Sequence, residues 1–486
     1  MPCMSVEAIS ETEFVREYTR ELHSKNAAVF AGAGLSLATG YVDWKGLLKE
    51  IIEDLHLDPV KEHDLVTLAQ YHCNQAGGSK TRLTKAIFDH FAPTKAPTAN
   101  HRILARLPIH TYWTTNYDKL IEKALEEAKK VPDVKHELKQ LSVTRPDRDV
   151  AVYKMHGDVD HPADAIICKD DYEAYPLTMS AFVSALRGDL VEKTFLFLGF
   201  SFTDPNIDYI LSRVRVQYEK HQRHHYCIQK KVTKDARETD AEFKYRQLKQ
   251  DYFIRDLKRF SVYTVLVDDY PQITVLLDRL AVNYKRASVL ISGAAEDYGA
   301  WKPTDAQAFL HELSRQIGSK RNRIITGFGV GVGSAVLNGA LAHLDAAGKT
   351  ISDEDIVVRP FPQVATGGAS LDDQWAQYRK AFIEHAGIAI FVFGSKRDAT
   401  GKIVSSDGVR KEFDLCVATK VRPLPIGATG FMAEELWKEV WGDFATFYPD
   451  ADAAFREEFE KLGDPSKTPN KLLASIQKLI QHLQKT

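Results

Sequence analysis

A chain of 486 residues exceeds one ordinary domain, and 44% hydrophobic with 27% charged residues describe a globular protein of two or three units. A formal charge of −2 gives no general pull toward nucleic acid, and no apolar run approaches the length of a membrane span. The opening "MPCMSVEAISETEF" lacks a basic stretch leading into an apolar one, so no secretory signal is expected, and five cysteines (Cys3, Cys73, Cys168, Cys227, Cys416) without a CxxC pair suit a reducing cytoplasm.

Along the chain, Ser10 and Glu13 can cap a first helix whose Phe14, Tyr18 and Leu22 share one face. The stretch "AVFAGAGLSLATGYVDW" (28–44) then starts as a buried strand and breaks into Gly32-Ala33-Gly34. A strand followed by a glycine turn and small residues can cradle a phosphate on backbone N–H groups. It is no P-loop, because no Lys-Ser or Lys-Thr follows, and Leu37 occupies the third position of a Gly-x-Gly-x-x-Gly pattern. Helical stretches near 44–55, 62–76, 79–91 and 100–107 lead to "HTYWTTNYD" (110–118), a strand ending in polar residues. "VAVYKMHGD" (150–158) and "TFLFLGFSFTDPN" (194–206) repeat the pattern, and "HHYCIQ" and "SVYTVLV" are two further strands around a charged helix. "KDDYE" (169–173) reads as a solvated turn, and "HQRHH" (221–225) as a histidine run without a second ligand cluster.

Strands alternating with helices predict a mostly parallel sheet covered on both faces, with ligands beyond the carboxyl ends of the strands. Four such ends carry small or polar groups: Gly32/Gly34/Ser36, Asn116/Asp118, His156/Asp158 and Gly199/Ser201/Asp204. A second alternation follows "AVNYKR": "ASVLISGAAE" (287–296), "NRIITGFGVGVGSAVLNGAL" (322–341), "GIAIFVFGSK" (387–396) and "RPLPIGAT" (422–429). "NKLLASIQKLIQHLQ" closes the chain as an amphipathic helix with Leu472, Ile476, Leu479 and Ile480 on one face. The expected fold is α/β, with two Rossmann-like, doubly wound, mostly parallel-sheet domains at 1–284 and 285–486. No Gly/Ser-rich linker separates them, so close packing is expected.

The ordered set "GAGLS", "TGYVDW", "TTNYD", "MHGD" and "GFSFTDPNI" resembles the sirtuin-like NAD-binding fold over roughly residues 10–284. "ISGAAE", "ITGFGVGVGSA" and "FVFGSK" resemble the SLOG superfamily of nucleotide-sensing domains. The pair, in this order and length, resembles the effector family of the Thoeris anti-phage defence system. Deacylating sirtuins carry a zinc module with two cysteine pairs, whereas only Cys168 lies between His156 and Gly199 here. The resemblance therefore implies NAD+ hydrolysis with release of nicotinamide, and no metal. A protein deacylase and a non-catalytic nucleotide-binding scaffold are the alternatives.

Carried over residue by residue, the resemblance makes Asn116 and His156 catalytic. Gly32, Ala33, Gly34 and Ser36 would hold the NAD pyrophosphate, with Ser201 and Asp204 near the adenosine side. Asp118 would orient the network or cap the next helix. In the second domain Ser292, Gly331, Gly333, Arg379, Lys396 and Glu412 match activator-binding positions, although helix-surface charge also explains Arg379 and Glu412. The implied activator is a cyclic ADP-ribose isomer made by a TIR-domain partner, and the implied assembly is a cytoplasmic homotetramer with no nucleic-acid or membrane partner.

Overall fold

The computed structural model describes residues 8–218, 221–353, 355–365, 367–368 and 370–485. The chain divides into two compact units, Met1–Ala281 and Val282–Thr486. Both are α/β, and no helix among the described residues is long and apolar enough to cross a membrane. Cys3 lies outside the described residues, and the other four cysteines are buried free thiols.

The first unit is built on seven strands: β1 (Ala27–Ala31), β2 (Thr111–Thr114), β3 (Pro132–Lys135), β4 (Val150–Lys154), β5 (Thr194–Leu198), β6 (His225–Lys230) and β7 (Val262–Val267). Their order is β3-β4-β2-β1-β5-β6-β7, parallel throughout. The chain runs from β1 outward through β2 to β3 and β4, then crosses back to β5 on the other side of β1. That reversal makes a topological switch point between β1 and β5, and doubly wound sheets bind ligands beyond the carboxyl ends of the strands at such points. The four strands β4, β2, β1 and β5 are contiguous, so the four polar strand exits line one edge of the sheet.

Local chemistry fixes the frame. Ser10 Oγ accepts the Glu13 N–H at 3.1 Å, and the helix Glu11–His23 buries Phe14, Val15, Tyr18 and Leu22. The Tyr18 hydroxyl donates to Ala28 O at 2.8 Å, tying that helix to β1. The segment 169–173, expected as a solvated turn, instead opens the helix Lys169–Thr178. Asp171 Oδ2 accepts the N–H groups of Ile167 and Cys168 at 3.1 Å each, and Tyr172 and Tyr175 turn inward to bury their rings.

The second unit contains β8 (Ser288–Ala295), β9 (Arg323–Thr326), β10 (Ile356–Val358), β11 (Ile388–Arg397), β12 (Ile403–Ser405) and β13 (Arg422–Pro425). The order is β10-β9-β8-β11-β12, with β13 paired to the first half of β11. Only β12 runs antiparallel, against the last three residues of β11 beyond a register break at Phe393/Ser395. The closing helix Pro469–Lys485 buries Leu472, Ile476, Leu479 and Ile480, as its spacing predicts.

Candidate functional site

The glycine turn after β1 is packed backbone on backbone against the exit of β5. Gly32 N–H donates to Leu198 O and Gly34 N–H to Gly199 O, both at 2.9 Å. A Cβ on Gly32 would lie 2.4 Å from Gly199 O, and one on Gly199, where φ is +62°, would lie 2.2 Å from Leu35 N. These glycines are required by the close approach itself, and two of the N–H groups expected to face a phosphate are already engaged.

A chain of side-chain bonds joins the turn to the exit of β2. Thr114 Oγ1 donates to Ala31 O at 2.9 Å and accepts the Asn116 N–H at 3.0 Å. The Asn116 amide donates to Gly32 O (3.1 Å) and to Ser36 Oγ (3.2 Å), and Ser36 donates to Asp118 Oδ2 (2.8 Å). Asp118 Oδ1 accepts the Leu120 N–H at 3.0 Å. Asp118 thus joins the network and also holds the first N–H of the helix Leu120–Glu127 from one position before its N-cap, Lys119. Asn116 and Ser36 are buried, at 9% and 2% exposure.

His156, at the exit of β4, is fully buried. Neither ring nitrogen has a hydrogen-bond partner, and burial holds its pKa below the usual imidazole value despite the carboxylates of Asp204 and Asp171. The ring is therefore neutral at physiological pH and available as a proton acceptor. Its Nε2 lies 3.4 Å from Asp204 Oδ2, while Tyr172 and Tyr175 meet it edge-on at 5.3 and 6.4 Å. Asp204, expected from sequence near the adenosine side, stands beside the histidine. Ser201 lies on an exposed loop and bonds Thr203 Oγ1 at 2.7 Å, apart from both networks.

Lys154 is the residue that sequence reading missed. It ends β4 with a fully buried ammonium that donates to the carbonyls of Tyr117 (3.1 Å) and Asp118 (2.7 Å). It also pairs with Glu122 (3.1 Å) and with Asp158. Burial opposes its charge, yet those carboxylates hold its pKa above the usual lysine value. The exits of β2 and β4, which carry Asn116 and His156, are thereby locked to one cation. In an alternating strand pattern such a lysine reads as outward-facing.

In the second unit, Ser292 Oγ donates to Glu412 Oε2 at 2.6 Å inside the fold. Arg379 approaches Glu412 at 3.9 Å and lies over the Phe361 ring at 5.0 Å, with its Nε buried and unbonded. Burial raises the Glu412 carboxyl to about 7 against the opposing pull of Ser292 and Arg379. Lys396 pairs with Asp407, at the start of the helix that carries Glu412. The turn after β9 is as tight as the first. A Cβ on Gly331, at φ +69°, would fall 2.2 Å from Ala295 O, and one on Gly333 would fall 2.6 Å from Phe328 Cα. Tight packing alone accounts for both glycines.

Among the described residues, His136, Glu137 and His161 form one group whose potential metal-ligand atoms lie within 4.8 Å of one another. The histidine run 221–225 contributes nothing to it. His225 is buried, and its Nδ1 accepts the Phe195 N–H at 3.1 Å.

Two family models match the chain: a SIR2-like domain over residues 110–256 and the Sir2- and TIR-associating SLOG family over residues 272–483. The chain is 47% identical to the NAD(+) hydrolase ThsA of Bacillus cereus (strain MSX-D12) over 470 residues, covering 97% of this chain and 98% of that one. It is 44% identical to the NAD(+) hydrolase ThsA of Cytobacillus dafuensis, covering 98% and 97%. Defense-associated sirtuin 2 of Bacillus subtilis is 27% identical across 42% of this chain and 20% of its own length. With a SIR2-like site followed by a SLOG unit, and likeness at this level over nearly its full length, the chain belongs to the ThsA family of NAD(+) hydrolases.

Proposed function

We propose that the first unit hydrolyses NAD+ to nicotinamide and ADP-ribose, in keeping with relatives named NAD(+) hydrolase, and that the second unit switches this activity on. The observation that carries the reading is the placement of Asn116 and a buried His156 at the exits of the adjacent strands β2 and β4, beside the glycine turn that follows β1. Nicotinamide leaves the cationic pyridinium as a neutral molecule, so the leaving group needs neither a general acid nor a metal. The barrier lies in forming an oxocarbenium-like ribose, which calls for positioning and for a base on water or a ribose hydroxyl. Asn116 fixes the ribose or the water through its amide, and His156 accepts the proton. Ala33, the glycines and Ser36 lie along the diphosphate.

His156 has no exposed surface, so substrate reaches it only after its surroundings move. That closed arrangement supports a gated enzyme. The gate we propose is a cyclic ADP-ribose-type signal, supplied by a TIR-domain partner and held around Ser292, Arg379, Glu412, Lys396 and the Gly331–Gly333 turn. Depletion of NAD+ by a cytoplasmic homotetramer would then abort phage infection. A ligand activates only by binding the open arrangement more tightly than the closed one.

Nicotinamide release from NAD+, measured with a panel of cyclic ADP-ribose isomers and with and without an acyl-lysine peptide, tests the reading. A hydrolase releases nicotinamide without peptide, a deacylase requires it, and a scaffold releases none.

A further inference from the structure

The carboxylate of Asp204 reaches in two directions. Its Oδ1 accepts the N–H groups of Asn206 (3.0 Å) and Ile207 (3.2 Å) and so is fixed on the first turn of the helix Pro205–Tyr218. Its Oδ2 accepts the Tyr172 hydroxyl at 3.3 Å and faces His156 Nε2 at 3.4 Å. Four groups from two elements surround the imidazole: Asp204 from the loop entering Pro205–Tyr218, and Asp171, Tyr172 and Tyr175 from Lys169–Thr178. Asp171 is occupied elsewhere, by Lys80 and by the Ile167 and Cys168 N–H groups. Asp204 is the carboxylate within reach of the ring.

We propose that Asp204 is a positioning residue for His156: its Oδ2 takes the Nε2–H of the imidazole and leaves Nδ1 as the proton-accepting atom. The inference rests on the reading of His156 as the base. A contact of 3.4 Å is longer than a formed hydrogen bond, and such contacts tighten when substrate is bound. Tyr172 tunes the pair, because its donated hydrogen bond draws charge away from the oxygen that faces the ring. The helix cap on Oδ1 supplies the rigidity that a tautomer-setting group needs. In a serine-protease triad, replacing the equivalent aspartate by asparagine lowers kcat about 10⁴-fold by imposing the wrong tautomer.

The test uses the full chain in single-turnover reactions with NAD+, enzyme in excess and the cyclic ADP-ribose isomer that most raises wild-type release, comparing wild type, His156→Ala, Asp204→Asn and Tyr172→Phe across pH. Asparagine can still cap the helix through its oxygen, so Asp204→Asn is expected to keep its melting temperature and its half-saturation for NAD+. Its rate at saturation should fall at least 100-fold. The acid limb of the pH profile should move to lower pH, because the histidine loses a stabilising anion. Tyr172→Phe should move that limb to higher pH, and it keeps the inference testable if Asp204→Asn fails to fold.

A wild-type rate and an unmoved acid limb in Asp204→Asn, with His156→Ala inactive, would overturn the pairing and leave the base assignment standing. A change confined to half-saturation would overturn it too, returning Asp204 to substrate binding. An unmoved limb in Tyr172→Phe would also overturn it. An active His156→Ala would remove the base assignment itself.

Discussion

Lys154→Met removes a buried cation and leaves two buried carboxylates and two backbone carbonyls without their donor. Glu122 and Asp158 are 8% and 4% exposed, so water does not replace the ammonium. Breaking a buried ion pair from one side costs about 3–5 kcal/mol. At roughly 2–4 °C per kcal/mol for a unit of this size, the first unit should melt about 6–20 °C lower. Burial already pushes the Glu122 carboxyl up, whereas Lys154 holds the Asp158 carboxyl below its usual value against burial, so loss of Lys154 raises both. Protonation relieves the stranded charge, so the penalty should shrink as pH falls from 7 toward 5. Adding Glu122→Gln to Lys154→Met should recover part of the loss by removing one orphaned charge. Thermal and urea unfolding of the full chain at both pH values measure this. A loss below about 1 kcal/mol, or a penalty independent of pH, would refute the claim that this ammonium holds the two strand exits together.

Gly199→Ala should destabilise the first unit by at least about 3 kcal/mol, combining the left-handed backbone cost with overlap against Leu35 N; a melting temperature within 2 °C or so of wild type would contradict the packing described. The raised Glu412 pKa makes the folded second unit bind more protons than the unfolded chain between pH about 4.5 and about 7. Stability should therefore decline as pH rises through that window, on the order of 3 kcal/mol in all. Glu412→Gln should flatten the slope, read from denaturant midpoints at each pH. Arg379→Ala and Lys396→Ala should each abolish cyclic ADP-ribose binding by calorimetry while sizing reports the same oligomer; retained binding in both would move the receptor site elsewhere.

The long buried strands were legible in the sequence because each is an apolar run that stops at glycine or a polar residue. Such runs mark β1, β2, β4, β5, β8, β9 and β11. The strands β3, β10 and β12 lie at the edges of their sheets and lack such a long apolar run ending in glycine or a polar exit. The helix at 169–178 was hidden by its acidic start and by Pro176. At the site, the strand exits were readable, but their depth was not. Polar residues at loop entrances suggest exposure, whereas Asn116, Asp118 and His156 are buried against partners distant in the chain: Asn116 bonds Gly32 and Ser36, Asp118 bonds Ser36 and Lys154, and His156 faces Asp204. Glycine turns were legible as turns. That they are spent on packing against Gly199 and Ala295 follows only from three-dimensional proximity.

The account stands most directly on whether Asn116 and His156 carry NAD+ cleavage. Nicotinamide release should be followed for the full chain, Asn116→Ala and His156→Ala, with no peptide present and across a panel of cyclic ADP-ribose isomers. Asn116→Ala gives up two hydrogen bonds, so a stability loss of about 1–3 kcal/mol is expected and leaves the protein folded. The account predicts that one isomer raises nicotinamide release by the wild-type chain and that both folded variants stay silent with every isomer. Near-normal release by the two folded variants would contradict it.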